Sequence, residues 1–309
     1  MSGSIARWTA LVNPTAGRGR VQRLLPELRA AFDRLPLDIE IVVTTSAADA
    51  CDRARECFAD GGGVVGVGGD GTVRDLADVA VTARGTLAIV PLGSGNDFAR
   101  HLGFDHRDPL RALDALVDGK PISVDLGLAR AADGTSRRFT TVANTGFDAE
   151  ANRWANTVSW TSGATLYLLA VLRTVATYRP RPVRVVVDGH QWEGRVWLVA
   201  VGNARCYGGG MHITPEAELD DGLLDVCVIG DIGVVEFVAN FPKVYRGTHT
   251  SHHAVTMLRG ARVEIAAVDG SDKSPPAELW ASGERVGLLP AVIETEAAAL
   301  RVVVPATRP

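Results

Sequence analysis

Gly68-Gly69-Asp70-Gly71-Thr72 decides the reading of this chain. The stretch follows an apolar run, Val64-Val65-Gly66-Val67, and opens a helical pattern from Val73, so it is a strand-to-helix turn. Backbone N–H groups at such a turn point outward, and glycine leaves no side chain to block a phosphate. One glycine-rich loop is weak evidence, because glycine more often solves a backbone problem. Here Asn13-Pro14-Thr15-Ala16-Gly17 and Gly93-Ser94-Gly95-Asn96-Asp97 accompany it. All three are expected after strands of one parallel sheet, at the edge where such sheets bind ligands. A nucleotide pocket and phosphoryl transfer are therefore expected.

Outward from that loop, strand and helix patterns alternate from residue 1 to about 122. Trp8 to Val12, Asp38 to Thr44 and Leu87 to Val90 read as strands beside the Val64 run. Leu24, Leu28, Ala31 and Leu35, and then Ala47, Cys51, Ala54 and Phe58, repeat at helical spacing; Gly61-Gly62-Gly63 ends the second helix. Shorter helices are expected near Phe98 to Leu102 and Leu110 to Val117. This alternation predicts a Rossmann-like α/β domain over 1–122.

After Gly119-Lys120-Pro121 the pattern becomes mainly antiparallel β over 123–309. The strand-like runs are Phe139–Ala143, Val183–Val187, Arg195–Val201, Leu224–Ile229, Arg262–Ala266 and Ala299–Val304. Helices are expected over Gly163–Thr177 and Val234–Val244, the second with an uncertain end at Pro242.

A length of 309 residues suits two domains. The net charge of −4 argues against a global electrostatic grip on nucleic acid or anionic lipid, leaving only local basic patches such as Arg179 to Arg184. No apolar run approaches the roughly 20 residues of a spanning helix, and Met1 to Trp8 lacks a signal-peptide core, so a cytoplasmic location is expected. Cys51, Cys57, Cys206 and Cys227 have neither zinc nor disulfide spacing and read as buried free thiols. His249, His252 and His253 lack carboxylate neighbours in sequence and read as a solvated loop.

The three loops, with Pro91-Leu92 before and Phe98-Ala99 after the third, resemble the signatures of the diacylglycerol kinase catalytic-domain family in its soluble bacterial branch, related to sphingosine and ceramide kinases. The resemblance continues through Gly202-Asn203, Gly208-Gly209-Gly210-Met211, Pro215-Glu216-Ala217 and Asp220-Asp221-Gly222-Leu223-Leu224-Asp225, nearly the whole chain. It implies an N-terminal α/β domain for ATP and a C-terminal antiparallel β-sandwich, with Mg²⁺ as cofactor.

Carried over, the nucleotide contacts are Asn13, Pro14, Gly17 and Arg18, then Gly68, Gly69, Asp70, Gly71 and Thr72, then Gly93, Ser94, Gly95 and Asn96. Thr72 either bonds a phosphate or caps its helix. Asp70 either favours a tight turn or, as the resemblance implies, serves Mg²⁺ or accepts a proton. Asp125 matches an acidic residue supporting the active-site network, against the plainer reading of an exposed strand-end carboxylate. The resemblance makes Glu218, Asp221 and the Leu223 carbonyl ligands of a structural Mg²⁺. The plainer alternative is an acidic turn.

Relatives usually carry Asp-Gly-Glu before the last strands, the Asp being the base for the lipid hydroxyl; this chain has Ser282-Gly283-Glu284. A serine cannot take the proton as a carboxylate does, and losing a general base typically costs about 10²–10⁴ in rate. Glu284 or Asp70 could stand in, or the rate could rest on positioning and charge neutralisation alone, as a loose phosphoryl-transfer transition state permits. Relatives also favour Asn-Glu where this chain has Arg74-Asp75, and altered nucleotide-site geometry, not its loss, is expected from the change.

The implied activity is an ATP-dependent kinase of a lipid hydroxyl, diacylglycerol or similar, with no nucleic-acid partner. A nucleotide-binding homologue with weak or no activity and a NAD kinase-like enzyme are the alternatives. The candidate helix around Trp160, Tyr167, Leu168, Leu169, Leu172 and Val175 either walls a lipid site or is core. Tyr178-Arg179-Pro180-Arg181-Pro182 either meets anionic head groups or is a solvated loop. Membrane contact is expected to be peripheral at most, and a homodimer is left open.

Overall fold

The computed structural model describes residues 5, 7–105, 108–155, 173–175, 177–268 and 277–306. It divides into two compact units, Met1–Leu126 with Ala297–Pro309, and Gly127–Glu296. The boundary near 122 expected from sequence falls at 126, and residues 297–309 group with the first unit. They do so because Arg301 and Val302 pair in parallel with Thr86 and Leu87 of that unit's sheet.

In the first unit β1 (Trp8–Val12), β2 (Ile39–Val43), β3 (Gly63–Gly68) and β4 (Thr86–Pro91) lie parallel in the order β2-β1-β3-β4. The end of β15 (Ala291–Val304) follows β4. Strands β1, β3 and β4 are buried throughout, as expected of a sheet covered on both faces. The cover comes from α1 (Ala16–Phe32), α2 (Ala47–Ala59) and α3 (Asp70–Ala83), whose buried faces include Leu28, Ala54 and Leu76. Strand order reverses beside β1, which pairs with β2 on one side and β3 on the other. That switch point is where open α/β sheets leave a crevice. The two short helices expected after β4 are α4 (Asp97–His101), and a 3₁₀ turn (Pro109–Leu113) followed by α5 (Asp114–Asp118).

The second unit is an antiparallel, β-sandwich-like structure. The chain enters it along β5 (Lys120–Ala131), followed by β6 (Ser136–Phe139), β7 (Val142–Gly146) and α6 (Phe147–Ala155). Next come β8 (Arg181–Val187), β9 (His190–Gly202) and β10 (Leu224–Gly230). After α7 (Val234–Asn240) lie β11 (Val255–Gly260), β12 (Arg262–Ala267), β13 (Glu278–Ala281) and β14 (Glu284–Leu288). Its core joins Phe139, Val185, Val199, Val226, Ile265 and Ile293.

Several expectations change here. Phe139–Ala143 is two strands rather than one, because the Thr141 carbonyl leaves the ladder to accept the N–H groups of Asn203 and Ala204, at 2.8 and 3.1 Å. Strands β5, β11, β13 and β14 were not anticipated; β5 has Pro121 near its start, and β13 is only four residues long. The helix from Val234 tightens into a 3₁₀ turn, Phe241–Arg246, at Pro242. The histidine group is not a uniformly solvated loop: His249 is buried, and Glu236 lies 3.2 Å from His252 Nε2 and 3.8 Å from His253 Nε2. The cysteines are free thiols, but only Cys206 and Cys227 are buried; Cys51 and Cys57, on α2, are half-buried. Most of the candidate helix 163–177 lies outside the described residues. Among those described, no helix is long and apolar enough to cross a membrane.

Candidate active site

Four contacts interlock the three loops of the first unit. Asn13 Nδ2 donates to Thr72 Oγ1 at 2.9 Å, joining the loop after β1 to the start of α3. The Asp70 carboxylate accepts the backbone N–H groups of Asn96 and Asp97, each at 2.7 Å, which joins α3 to the start of α4. Gly17, at φ +59°, lies so close to the third loop that a Cβ would sit 2.4 Å from the Leu92 carbonyl oxygen. Gly93 faces Gly69 so closely that a Cβ on Gly93 would meet the Gly69 Cα at 2.4 Å. These glycines serve loop-to-loop approach as well as an open backbone.

The same contacts define what each side chain does. Thr72 does not cap α3; its hydroxyl receives Asn13. Asn96, at φ +56°, accepts the Gly93 N–H at 2.8 Å and donates to the Gly93 carbonyl at 3.0 Å, closing the third loop on itself. Burial, then the Asp97 charge, pushes the Asp70 carboxyl above its ordinary pKa, while the N–H donors pull the other way. Asp70 thus positions the third loop. Arg18 and Ser94 are exposed, and Arg18 lies in a left-handed run with Gly17 and Gly19.

At the switch point lies a cleft of about 330 Å³, lined in part by Asn13, Pro14, Gly71 and Thr72. Asp75 also lines it, as do Thr44, Thr45 and Ser46, which the sequence reading did not assign to the site. Their signal was positional: Thr44-Thr45-Ser46 follow a parallel strand, as the other loops do. Ser46 caps α2 by accepting the Asp49 N–H at 3.0 Å, and Asp49 accepts the Thr45 N–H at 2.8 Å in return. Asp75 pairs with Arg74 at 2.8 Å, so the cation in place of the usual amide is matched by the shortened acid beside it.

Asp125 is buried rather than exposed, and its Oδ1 accepts the N–H of Ala298, a residue at φ +51°, at 2.6 Å. Ser282 and Glu284 belong to the second unit. Ser282 Oγ lies 3.3 Å from Thr141 Oγ1, and Glu284 is exposed. Within the Glu218–Leu223 loop, Glu218 pairs with Arg205 and Asp221 with Arg259 at 2.9 Å. Asp221 also accepts the Leu223 N–H at 3.0 Å. Each of these two carboxylates thus has a guanidinium partner.

The second unit also holds an apolar cavity, lined by Phe147, Met211, Phe237, Phe241 and Val244 among others. Two buried polar groups reach it, Asp148 and His249. Burial raises the Asp148 carboxyl to about 6 despite a hydrogen bond from Tyr207. Asn144 Nδ2 also donates to this carboxylate, at 2.9 Å. His249 Nε2 lies 3.1 Å from the Ile213 carbonyl oxygen, whereas its Nδ1 has no hydrogen-bond partner among the described residues.

Residues 7–129 match the diacylglycerol kinase catalytic domain, and residues 141–304 match the YegS C-terminal NAD kinase beta sandwich-like domain. The diacylglycerol kinase of Mycobacterium tuberculosis is 34% identical over 303 residues, covering 97% of this chain and 96% of the relative. That of Bacillus subtilis is 26% identical, covering 91% and 90%. A crystal structure from Bacillus anthracis aligns with 99% of each chain at 25% identity and a TM-score of 0.76. A second, of a diacylglycerol kinase from the same organism, shares the fold over 100% of each chain at 23% identity and a TM-score of 0.73. The chain belongs to the diacylglycerol kinase family, which includes the YegS-like lipid kinases.

Proposed function

We propose that the chain transfers the γ-phosphate of ATP to the hydroxyl of diacylglycerol or a related lipid, with Mg²⁺ as cofactor. The observation that carries this reading is the interlocking of three glycine-bearing loops beside a cleft at the switch point of a parallel sheet. Thr45, Ser46, Thr72 and Asp75 line that cleft with oxygen atoms, the donor type Mg²⁺ prefers, so the residues fit a metal–nucleotide ligand. When bound, Mg²⁺ supplies charge neutralisation on the phosphates. The chain's part is to hold the loops in place through Asp70, Asn13 and Asn96, and to offer backbone N–H groups to the phosphates. The lipid oxygen attacks the γ-phosphorus, the bond to the β-phosphate oxygen breaks, ADP leaves, and the hydroxyl proton passes to a base or to water.

The apolar cavity of the second unit supports a lipid as acceptor. The serine at 282 favours a second reading, a nucleotide-binding homologue with little turnover. Incubation with labelled ATP and a panel of lipid alcohols separates them. Transfer that is lost in Asp70→Ala supports the kinase; transfer to no lipid alcohol overturns it. ATP binding without turnover, with activity gained in Ser282→Asp, identifies the weak homologue. Transfer to NAD in the same assay identifies a NAD kinase-like enzyme.

A further inference from the structure

Four of the six exposed large hydrophobic side chains among the described residues fall within one segment of twelve: Val234, Val235, Val238 and Tyr245. Val235 is 83% exposed and Val238 50%, far more than apolar residues on a packed helix require. With Ala239 and Pro242, also exposed, they follow α7 and the 3₁₀ turn after it at helical spacing. The opposite side of the segment is apolar too: Phe237, Phe241 and Val244, at i, i+4 and i+7, line the cavity. A helix polar on its outer face would satisfy water; this one is apolar on both sides.

Cations outnumber anions on the segment, Lys243 and Arg246 against Glu236, which lies 3.2 Å from His252 and 3.8 Å from His253. Asp231, just before α7, pairs with Arg195 at 3.5 Å. Lys243 and Arg246 are exposed on the 3₁₀ turn, and no ion pair among the described residues involves either. This local excess of cations stands on a chain whose net charge is −4.

We infer that Val234–Arg246 is a docking surface for an anionic lipid bilayer. Val235, Val238 and Tyr245 enter the interface, and Lys243 and Arg246 meet the head groups. Two apolar faces on one thin segment suit a wall between a bilayer and an apolar cavity. An exposed apolar stripe beside unpaired cations is the composition of an interfacial segment. The inference does not rest on phosphotransfer, because docking needs no nucleotide.

The test is sedimentation of the full chain with vesicles, without ATP and with EDTA, on phosphatidylcholine alone and on phosphatidylcholine with about one-third phosphatidylglycerol. Wild type should pellet with the anionic vesicles and be released by high salt, since surface attraction is screened. Val235→Asp with Val238→Asp should lower the bound-to-free ratio at least about tenfold, the scale expected for losing two valine insertions. Lys243→Glu with Arg246→Glu, at exposed positions, should lose binding to anionic vesicles by about tenfold or more. Circular dichroism checks that each variant is folded, and the charge-reversal pair decides the matter if the aspartates unfold the segment. Wild type that stays in the supernatant overturns the inference, as does folded variant protein that binds like wild type. A dimer that dissociates in Val235→Asp, without any vesicle binding by wild type, overturns it in favour of a second copy of this chain.

Discussion

The Gly68–Thr72 loop of the first unit and the Ala281–Glu284 turn of the second each set a short polar side chain beside a glycine, and they fix it by different means. Asp70 acts through its side chain, whose two oxygens receive the N–H groups of residues 26 and 27 positions away. Ser282 is placed by the main chain. It and Gly283 have φ of +45° and +81° in a two-residue hairpin between paired Ala281 and Glu284, and its N–H donates to the Val142 carbonyl at 3.0 Å. Consecutive left-handed residues are the pattern of hairpin turns that match strand twist. A turn held by its backbone tolerates exchange of its side chain, which is why serine can stand at 282 without loss of fold. A loop held by a carboxylate does not.

The largest effect expected on this contrast is at Gly93. Alanine there places a Cβ 2.4 Å from the Gly69 Cα and 2.7 Å from Asn96 Oδ1. It should cost about 3 kcal/mol in urea unfolding and weaken ATP binding. Gly71→Ala is the control: nothing lies within 4 Å, and alanine should leave stability unchanged or improve it by up to about 1 kcal/mol. If both variants behave alike, close loop packing is not what fixes the first unit.

Next come two carboxylates that should respond to asparagine with opposite signs. Asp70→Asn turns an NH₂ toward one of two backbone donors and should cost about 1–3 kcal/mol. Asp148 titrates at about 6 in the fold against 3.8 ordinarily, so the fold takes up its proton more readily than the open chain. Its contribution is therefore fully present below 3.8 and lost as pH rises through about 6. The ionised group costs on the order of 3 kcal/mol above that range. Asp148→Asn should raise the melting temperature at pH 8 and flatten its dependence between about pH 4 and 7. A pH profile unchanged by the substitution would show that Asp148 is ionised at no cost in the fold.

The smallest effect tests the turn directly. Ser282→Asp should change unfolding free energy by less than about 0.5 kcal/mol, because aspartate accepts left-handed backbone in such hairpins. A larger loss would mean that the serine side chain, not the main chain, sets the turn.

The first unit was legible wherever its signals were local. Buried strands, helical spacing and glycines between them lie within a few residues of one another, so β1 to β4 and the three loops could be read in order. Family resemblance and the antiparallel character of the second half were readable for the same reason. Short strands such as β13 were not, since four residues carry too little alternation to stand out.

By itself, the sequence determined the loops, their strands and the residue types available for phosphate binding, because backbone freedom and period are written locally. Only the tertiary structure decided that Asp70 ties one loop to the next, that Asp125 is buried against Ala298 173 positions later, and that Arg301 and Val302 of β15 rejoin the first sheet. It likewise brought Glu236 to His252 and left the valines of α7 facing outward. These are contacts between distant segments, and their energies depend on which surfaces the fold closes together.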